Sequence, residues 1–272
     1  MHSPEPTSTT PPTSIWTKTP TPSQTLTPTH TSTPTVTPTP TWIWHPPGEV
    51  VAPILLYHHV SFDETLVDYN VKPSQFAEQM AALDEWGYTA ITAKTLIRVI
   101  KKGGDLPPRP VVITFDDGHL SVYENAFPIM QEYGFPGVTY VVANRLEADG
   151  FTKVAELTEM LDAGWEVGSH GTTHVDISKD TSLIPYEIKG SRDILEKALP
   201  TRIRTFAYPF GAFSQTIGEQ VYLYEYLGGM GLGNGSTHSE KSLFYMKRIE
   251  IKGGYDLETF ASLLPWSEPP EE

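Results

Sequence analysis

The amino-acid sequence predicts an α/β barrel, complete or incomplete, preceded by a disordered Thr/Pro-rich stalk. Two observations set this expectation. From Pro53 onward, short β-branched or aromatic runs alternate with stretches of helical period about seven times, the rhythm of consecutive βα units, and that many repeats favour a barrel over an open sheet. Before them, residues 1–49 carry 16 threonines and 12 of the 25 prolines of the 272-residue chain. Proline removes backbone donors and short hydroxylic side chains bury little apolar area, so this stretch cannot offset its ordering entropy. The expected organisation is a linker over 1–49 and one folded domain over 50–272, large enough for a real core.

The elements follow in order. Ile54 to Val60 reads as the first strand. Ser74 can cap a helix whose Phe76, Met80 and Leu83 share a face, with Gly87 at its end. Tyr88 to Ile91 is a strand, and Thr92 starts a helix with Leu96, Val99 and Ile100 on its apolar side. Val111 to Phe115 is a continuous apolar run, as in a strand buried on both faces. A helix over 123–133, disturbed near Pro128, precedes a buried strand over 137–142. Then come a helix at 154–163, a strand at 165–169, a long outer helix over 182–199 and a strand at 205–208 halted by Pro209. A helix near 215–224, a Gly-rich segment over 228–235, a strand at 246–251 and a helix at 257–264 complete the pattern.

Composition excludes several function classes. The formal charge of −14, without clusters of Lys and Arg, argues against nucleic acid and anionic membrane. No apolar run is long enough to span a bilayer, and Met1-His2-Ser3-Pro4 lacks the basic and apolar regions of a signal peptide. Thr/Pro tracts are typical of extracellular stalks, so an extracellular or cell-surface location is expected. With no cysteine, the chain has no disulfides, thiolate metal site or cysteine nucleophile.

In parallel α/β folds the chemistry sits at the C-terminal ends of strands. Three strand ends carry polar residues. Thr114-Phe115-Asp116-Asp117-Gly118 places two acids after an apolar strand, where one can bind a cation while the other reaches a reacting water; Asp-Asp-Gly is also ordinary turn chemistry. His170-Gly171-Thr172-Thr173-His174 offers two imidazoles at ligand spacing, with Asp117 as a third ligand. Two histidines and a carboxylate leave coordination positions open, the pattern of a catalytic site. The third end, Phe206-Ala207-Tyr208-Pro209-Phe210-Gly211, reads as a tight turn able to aim the Phe210 or Gly211 amide at an oxyanion.

These three motifs, in this order and spacing, resemble those of the polysaccharide deacetylases, the NodB-homology or carbohydrate esterase family four. The resemblance spans roughly 53–264. It implies a distorted (β/α)7 barrel, a divalent cation (zinc most readily, cobalt or nickel otherwise) held by Asp117, His170 and His174, and Asp116 as general base. Tyr57-His58-His59-Val60 resembles the first strand of the branch that deacetylates poly-N-acetylglucosamine. Because His58 and His59 should point to opposite sides of a strand, only one can face the site, and the resemblance selects His58, the candidate general acid, with a structural histidine hydrogen-bonded near the metal shell as the alternative. Tyr208, Phe210, Trp165 and Tyr57 offer faces for sugar rings, with ordinary core packing as the alternative for each.

The sequence also departs from the family pattern. An Arg that commonly pairs with the base, two residues before the third motif's proline, is Ala207 here, and nothing obvious in the sequence replaces it. A late Asp-Trp pair and Leu-x-x-His are absent, and the only late histidine is His238. The implied activity is removal of N-acetyl groups from N-acetylglucosamine-containing polysaccharide; the alternatives are an O-acetyl esterase on xylan-type glycans or a catalytically inactive carbohydrate-binding domain.

Overall fold

A computed structural model of the protein describes Met1, residues 41–63 and residues 68–270. The stalk expected over 1–49 lies mostly outside the described residues. Its last, described part does not behave as a linker, since Ile43–His45 pairs antiparallel with Gly104–Leu106.

Seven strands form one curled parallel sheet: β1 (Ile54–Tyr57), β3 (Pro110–Phe115), β4 (Val138–Val141), β5 (Glu166–Ser169), β6 (Thr205–Ala207), β7 (Gly228–Met230) and β8 (Ile249–Glu250). Their spatial order is β7-β6-β5-β4-β3-β1-β8, and a short β2 (Thr89–Ala90) pairs with the start of β3. The two ends of the sheet meet through one parallel bridge, Met230 to Met246. The barrel is therefore distorted, with full ladders around most of its circumference and a single bridge at the seam.

Two layers of core explain the element sequence. Inside the barrel lie Ile54, Val112, Val138, Tyr140, Ala207 and Met230, together with Leu96, Ile97 and Ile100 of helix α2 (Ala93–Lys102). Outside, Leu55, Val111, Ile113 and Phe115 pack under α1 (Pro73–Glu85) and α3 (Phe127–Glu132) through Phe76, Met80, Phe127 and Met130. Strand β3 is apolar at nearly every position because both its faces are covered.

Several expected elements are corrected. Helix α1 begins at Pro73, whose fixed φ suits the first helical position, and Lys72 rather than Ser74 precedes it. The expected 123–133 helix is a π-helical turn, Val122–Ala126, followed by α3, because Pro128 lacks an N–H and its ring displaces the carbonyl four residues earlier. Pro185 acts likewise on the expected long helix: Thr181–Leu183 is 3₁₀, Pro185–Gly190 is a π-turn, and α4 runs only from Ser191 to Ala198. The Gly-rich segment holds a barrel strand, β7, with no side-chain period to announce it. A Cβ at Gly228 would lie 2.7 Å from Ile97 Cδ1, so glycine is what lets α2 close the N-terminal end of the barrel. The first strand stops at Tyr57, and His59–Val60 pairs instead with Asn70–Val71.

Candidate active site

The C-terminal ends of β1, β3, β5 and β6 surround a cavity of about 480 Å³, lined among others by His58, His59, Asp116, Asp117, His170 and His174. The two acids directly follow β3. Asp116 is buried, whereas Asp117 adopts a left-handed backbone (φ 71°) that turns its carboxylate toward the histidine loop. His174 (φ 64°) and Phe210 (φ 59°) share this conformation, so three of the five non-glycine residues with positive φ among those described lie at one cavity. Each costs of order 1 kcal/mol or more, a strain that concentrates at functional sites.

Asp117, His170 and His174 present ligand atoms all within 4.8 Å of one another. Asp117 Oδ1 lies 3.2 Å from His174 Nε2 and 4.0 Å from His170 Nε2. His170 Nδ1 is 2.8 Å from the Ala207 carbonyl; as donor to that oxygen it leaves the Nε2 lone pair facing the acids, as a metal ligand requires. Asp117 Oδ2 is 3.3 Å from His119 Nε2, and Arg145 Nη1 donates to Oδ1 at 3.3 Å. Burial pushes the Asp117 carboxyl up, but the His119 hydrogen bond and the neighbouring imidazoles outweigh it and hold the group well below the carboxylate range. An ionised carboxylate between two imidazoles, one with a fixed tautomer, fits a divalent cation.

Asp116 has a different partner. Arg248, itself 1% exposed, donates from Nη1 and Nη2 to the two Asp116 oxygens at 2.7 Å each, and from Nε to the Gly231 carbonyl at 3.1 Å. Burial raises the Asp116 pKa, and the charge and hydrogen bonds of Arg248 together with the nearby imidazoles of His170 and His58 more than reverse it, so the net shift is downward. Arg248 thus gives Asp116 the guanidinium partner for which the sequence offered no candidate at Ala207. It arrives from the seam between Met246 and Ile249, over 130 positions away in the chain, and no local motif marked it.

The expected opposition of His58 and His59 does not hold. Pairing with β3 ends at Tyr57, the backbone turns to pair His59 with Asn70, and both imidazoles line the cavity. His58 packs edge-on against Tyr69, with ring centroids 5.0 Å apart. His59 stacks on His119 at 3.6 Å. Burial lowers both; His59 falls to about 4, with His119 adding to the fall, whereas Asp116 and Asp117 lead the charges that draw His58 back up.

Of the aromatic candidates, Tyr57 and Trp165 are core, whereas Tyr208 is buried, with its hydroxyl donating to the Phe244 carbonyl at 2.6 Å, and also lines the cavity. Phe210 is 64% exposed at the cavity and meets His174 edge-on at 4.7 Å. The Gly211 N–H is engaged by the Tyr208 carbonyl, so the Phe210 amide is the remaining candidate oxyanion donor. His238 is buried on the short strand Thr237–His238, which pairs antiparallel with Val50–Val51, and does not line the cavity. Sequence reasoning missed His119, Arg145 and Glu250. His119 lies two residues beyond Asp117, within reach of a motif reading; Arg145 and Glu250 come from other elements.

The sequence profile of the polysaccharide deacetylases matches residues 103–228. The poly-beta-1,6-N-acetyl-D-glucosamine N-deacetylase of Staphylococcus epidermidis is 28% identical over 167 residues, 56% of this chain and 57% of that protein, so the match spans little more than half of the relative. A polysaccharide deacetylase structure from Bacillus cereus superimposes with a TM-score of 0.70 at 29% identity, covering 79% of this chain and 69% of the other. A Streptococcus pyogenes deacetylase in complex with acetate shares the fold, with a TM-score of 0.71 at 23% identity over 85% of this chain and all of that one.

Proposed function

Since the chain belongs to the polysaccharide deacetylase family, we propose that it is a metal-dependent hydrolase removing N-acetyl groups from N-acetylglucosamine-containing polysaccharide. One observation carries the reading: the Asp117–His170–His174 cluster and the Arg248-paired Asp116 converge on a single cavity. Bound there, a divalent ion, zinc foremost and cobalt or nickel as alternatives, supplies Lewis acidity that acidifies water and polarises an acetyl carbonyl. Asp116 Oδ2, 3.7 Å from His170 Nε2, accepts the proton of the attacking water. Arg248 keeps that carboxylate ionised and fixes its plane. The Phe210 amide donates to the developing oxyanion. His58 delivers a proton to the departing sugar nitrogen, a poor leaving group unless protonated. Acetate and a free amine on the sugar result.

Phe210 and Tyr69, both exposed at the cavity, offer faces on which sugar rings stack. A polymeric substrate outside the cell agrees with the Thr/Pro composition of residues 1–49 and with an extracellular or cell-surface location. No helix among the described residues is long and apolar enough to cross a membrane. The reading as an eroded, inactive domain leaned on Ala207 and on the missing late histidine, and Arg248 removes the first of these supports. The test is acetate release from a panel of N- and O-acetylated glycans with and without chelator. Chelator-sensitive release from the N-acetylated polymers is expected. Release from O-acetyl xylan alone would make the protein an esterase, and no release from any glycan would reject the enzymatic reading.

A further inference from the structure

We infer that Glu187 positions the His170–His174 loop for metal, setting His174 through the two residues that precede it; this rests on the reading of Asp117, His170 and His174 as ligands. Glu187 is 1% exposed and sits on the π-turn Pro185–Gly190 that Pro185 begins. Its Oε2 accepts the amides of Thr172 at 2.8 Å and Thr173 at 2.9 Å, and its Oε1 accepts the Thr173 hydroxyl at 2.5 Å. Two consecutive N–H groups converging on one anionic oxygen form a nest, a backbone shape that a carboxylate stabilises.

The loop is also tied by Ala143 and Asn144, which donate to the Gly171 and Thr172 carbonyls at 3.0 Å each, and by the Thr172 hydroxyl, which donates to the Tyr186 carbonyl at 2.6 Å. Close approach of the carboxylate also accounts for Gly171: its φ is 79°, and a Cβ there would stand 2.9 Å from Glu187 Oε2. The two ligands differ in their support. His170 has its own anchor at the Ala207 carbonyl, whereas His174 holds a left-handed backbone directly after the Glu187-bound pair. A strained conformation persists only where its surroundings over-determine it. Glu187 supplies that constraint, so its removal frees His174 more than His170.

The experiment measures Zn(II) affinity of the full chain by chelator competition, and the d–d spectrum of the Co(II)-loaded protein, for wild type, Glu187→Ala and Glu187→Gln. Each change is repeated in a His174→Ala background titrated to millimolar metal. Loss of a group that orients a ligand weakens metal binding about 10- to 100-fold, which is expected for Glu187→Ala, with a smaller loss for Gln because it keeps one acceptor oxygen. Without His174, neither change should weaken binding further. Unchanged affinity, or equal losses in both backgrounds, would overturn the inference, the second result marking a general packing defect. If the Ala variant fails to fold, the same criterion applies to the Gln variant. A wild-type protein that binds neither ion rejects the metal reading itself, a result distinct from metal-binding variants with unchanged affinity.

Discussion

The two ends of the barrel each bury a carboxylate, and they treat it in opposite ways. At the N-terminal end Glu166, the first residue of β5, accepts the Lys94 amide at the start of α2 at 2.9 Å and the Thr205 hydroxyl at 2.8 Å. Burial dominates over these dipoles, and the Glu166 pKa rises. At the C-terminal end Asp116 is equally enclosed, but its partner is a full charge and its pKa falls. Burial does not by itself decide ionisation; the charge of the partner does. The first arrangement ties a helix to the barrel floor, and the second holds an ionised carboxylate beside the Asp117–His170–His174 cluster.

The sharpest way to break this contrast is at Asp116. Asp116→Asn should cost about 10²- to 10⁴-fold in turnover, the usual loss of a general base, while retaining metal. Because it leaves Arg248 buried without an anion, it should also destabilise the fold by about 3 kcal/mol or more, seen as a lower Tm. Wild-type turnover would remove the base assignment. Arg248→Met tests the same pair from the other side. It deletes the leading influence that lowers the Asp116 pKa and leaves the burial that raises it, so the acid limb of the kcat/KM profile should move to higher pH. An unshifted limb would mean that Arg248 only packs.

His58→Ala sharpens the upper end further. An acid that protonates a leaving amine matters for amides and little for esters with good phenolic leaving groups, so deacetylation should fall about 10²- to 10⁴-fold and activated-ester hydrolysis far less. Equal losses on both would refute the acid role. His59→Ala is no neutral control, since His59 lines the same cavity.

Smaller effects are expected at the lower end. A group whose folded pKa is raised contributes stability that is present below its unfolded pKa, about 4.3, and lost as pH rises through the folded value. Glu166→Gln, which cannot ionise, should therefore flatten the decline of Tm between pH 4 and pH 8 while leaving kcat within about twofold. An unaltered slope would show that Glu166 does not titrate in this range. Smallest of all is truncation. Removing residues 1–40 should leave Tm unchanged, whereas removing 1–48 deletes the Ile43–His45 pairing and the Gly48 bond to the Ile100 carbonyl and should cost about 1–2 kcal/mol. Equal Tm values for the two truncations would return the whole segment to the role of a linker.

Much of the site was legible because it is local in the chain. Adjacent acids after an apolar strand, paired histidines four apart and a Pro-Phe-Gly turn each report on one strand end, and βα periodicity brings those ends to one face. The helix breaks at Pro128 and Pro185 were partly foreshadowed by proline itself; β7 was hidden because Gly228 and Gly229 carry no side-chain period.

The sequence alone determined the α/β class, the order of the motifs and the residue types available for chemistry, since periodicity and turn chemistry are properties of neighbouring residues. Only the tertiary structure decided which residues meet. Arg248 reaches Asp116 across the barrel seam, Glu187 reaches the histidine loop from a π-turn, and His59 joins His58 at the cavity where strand pairing changes partner. Each depends on closing the sheet and packing distant segments, contacts whose geometry no local pattern encodes.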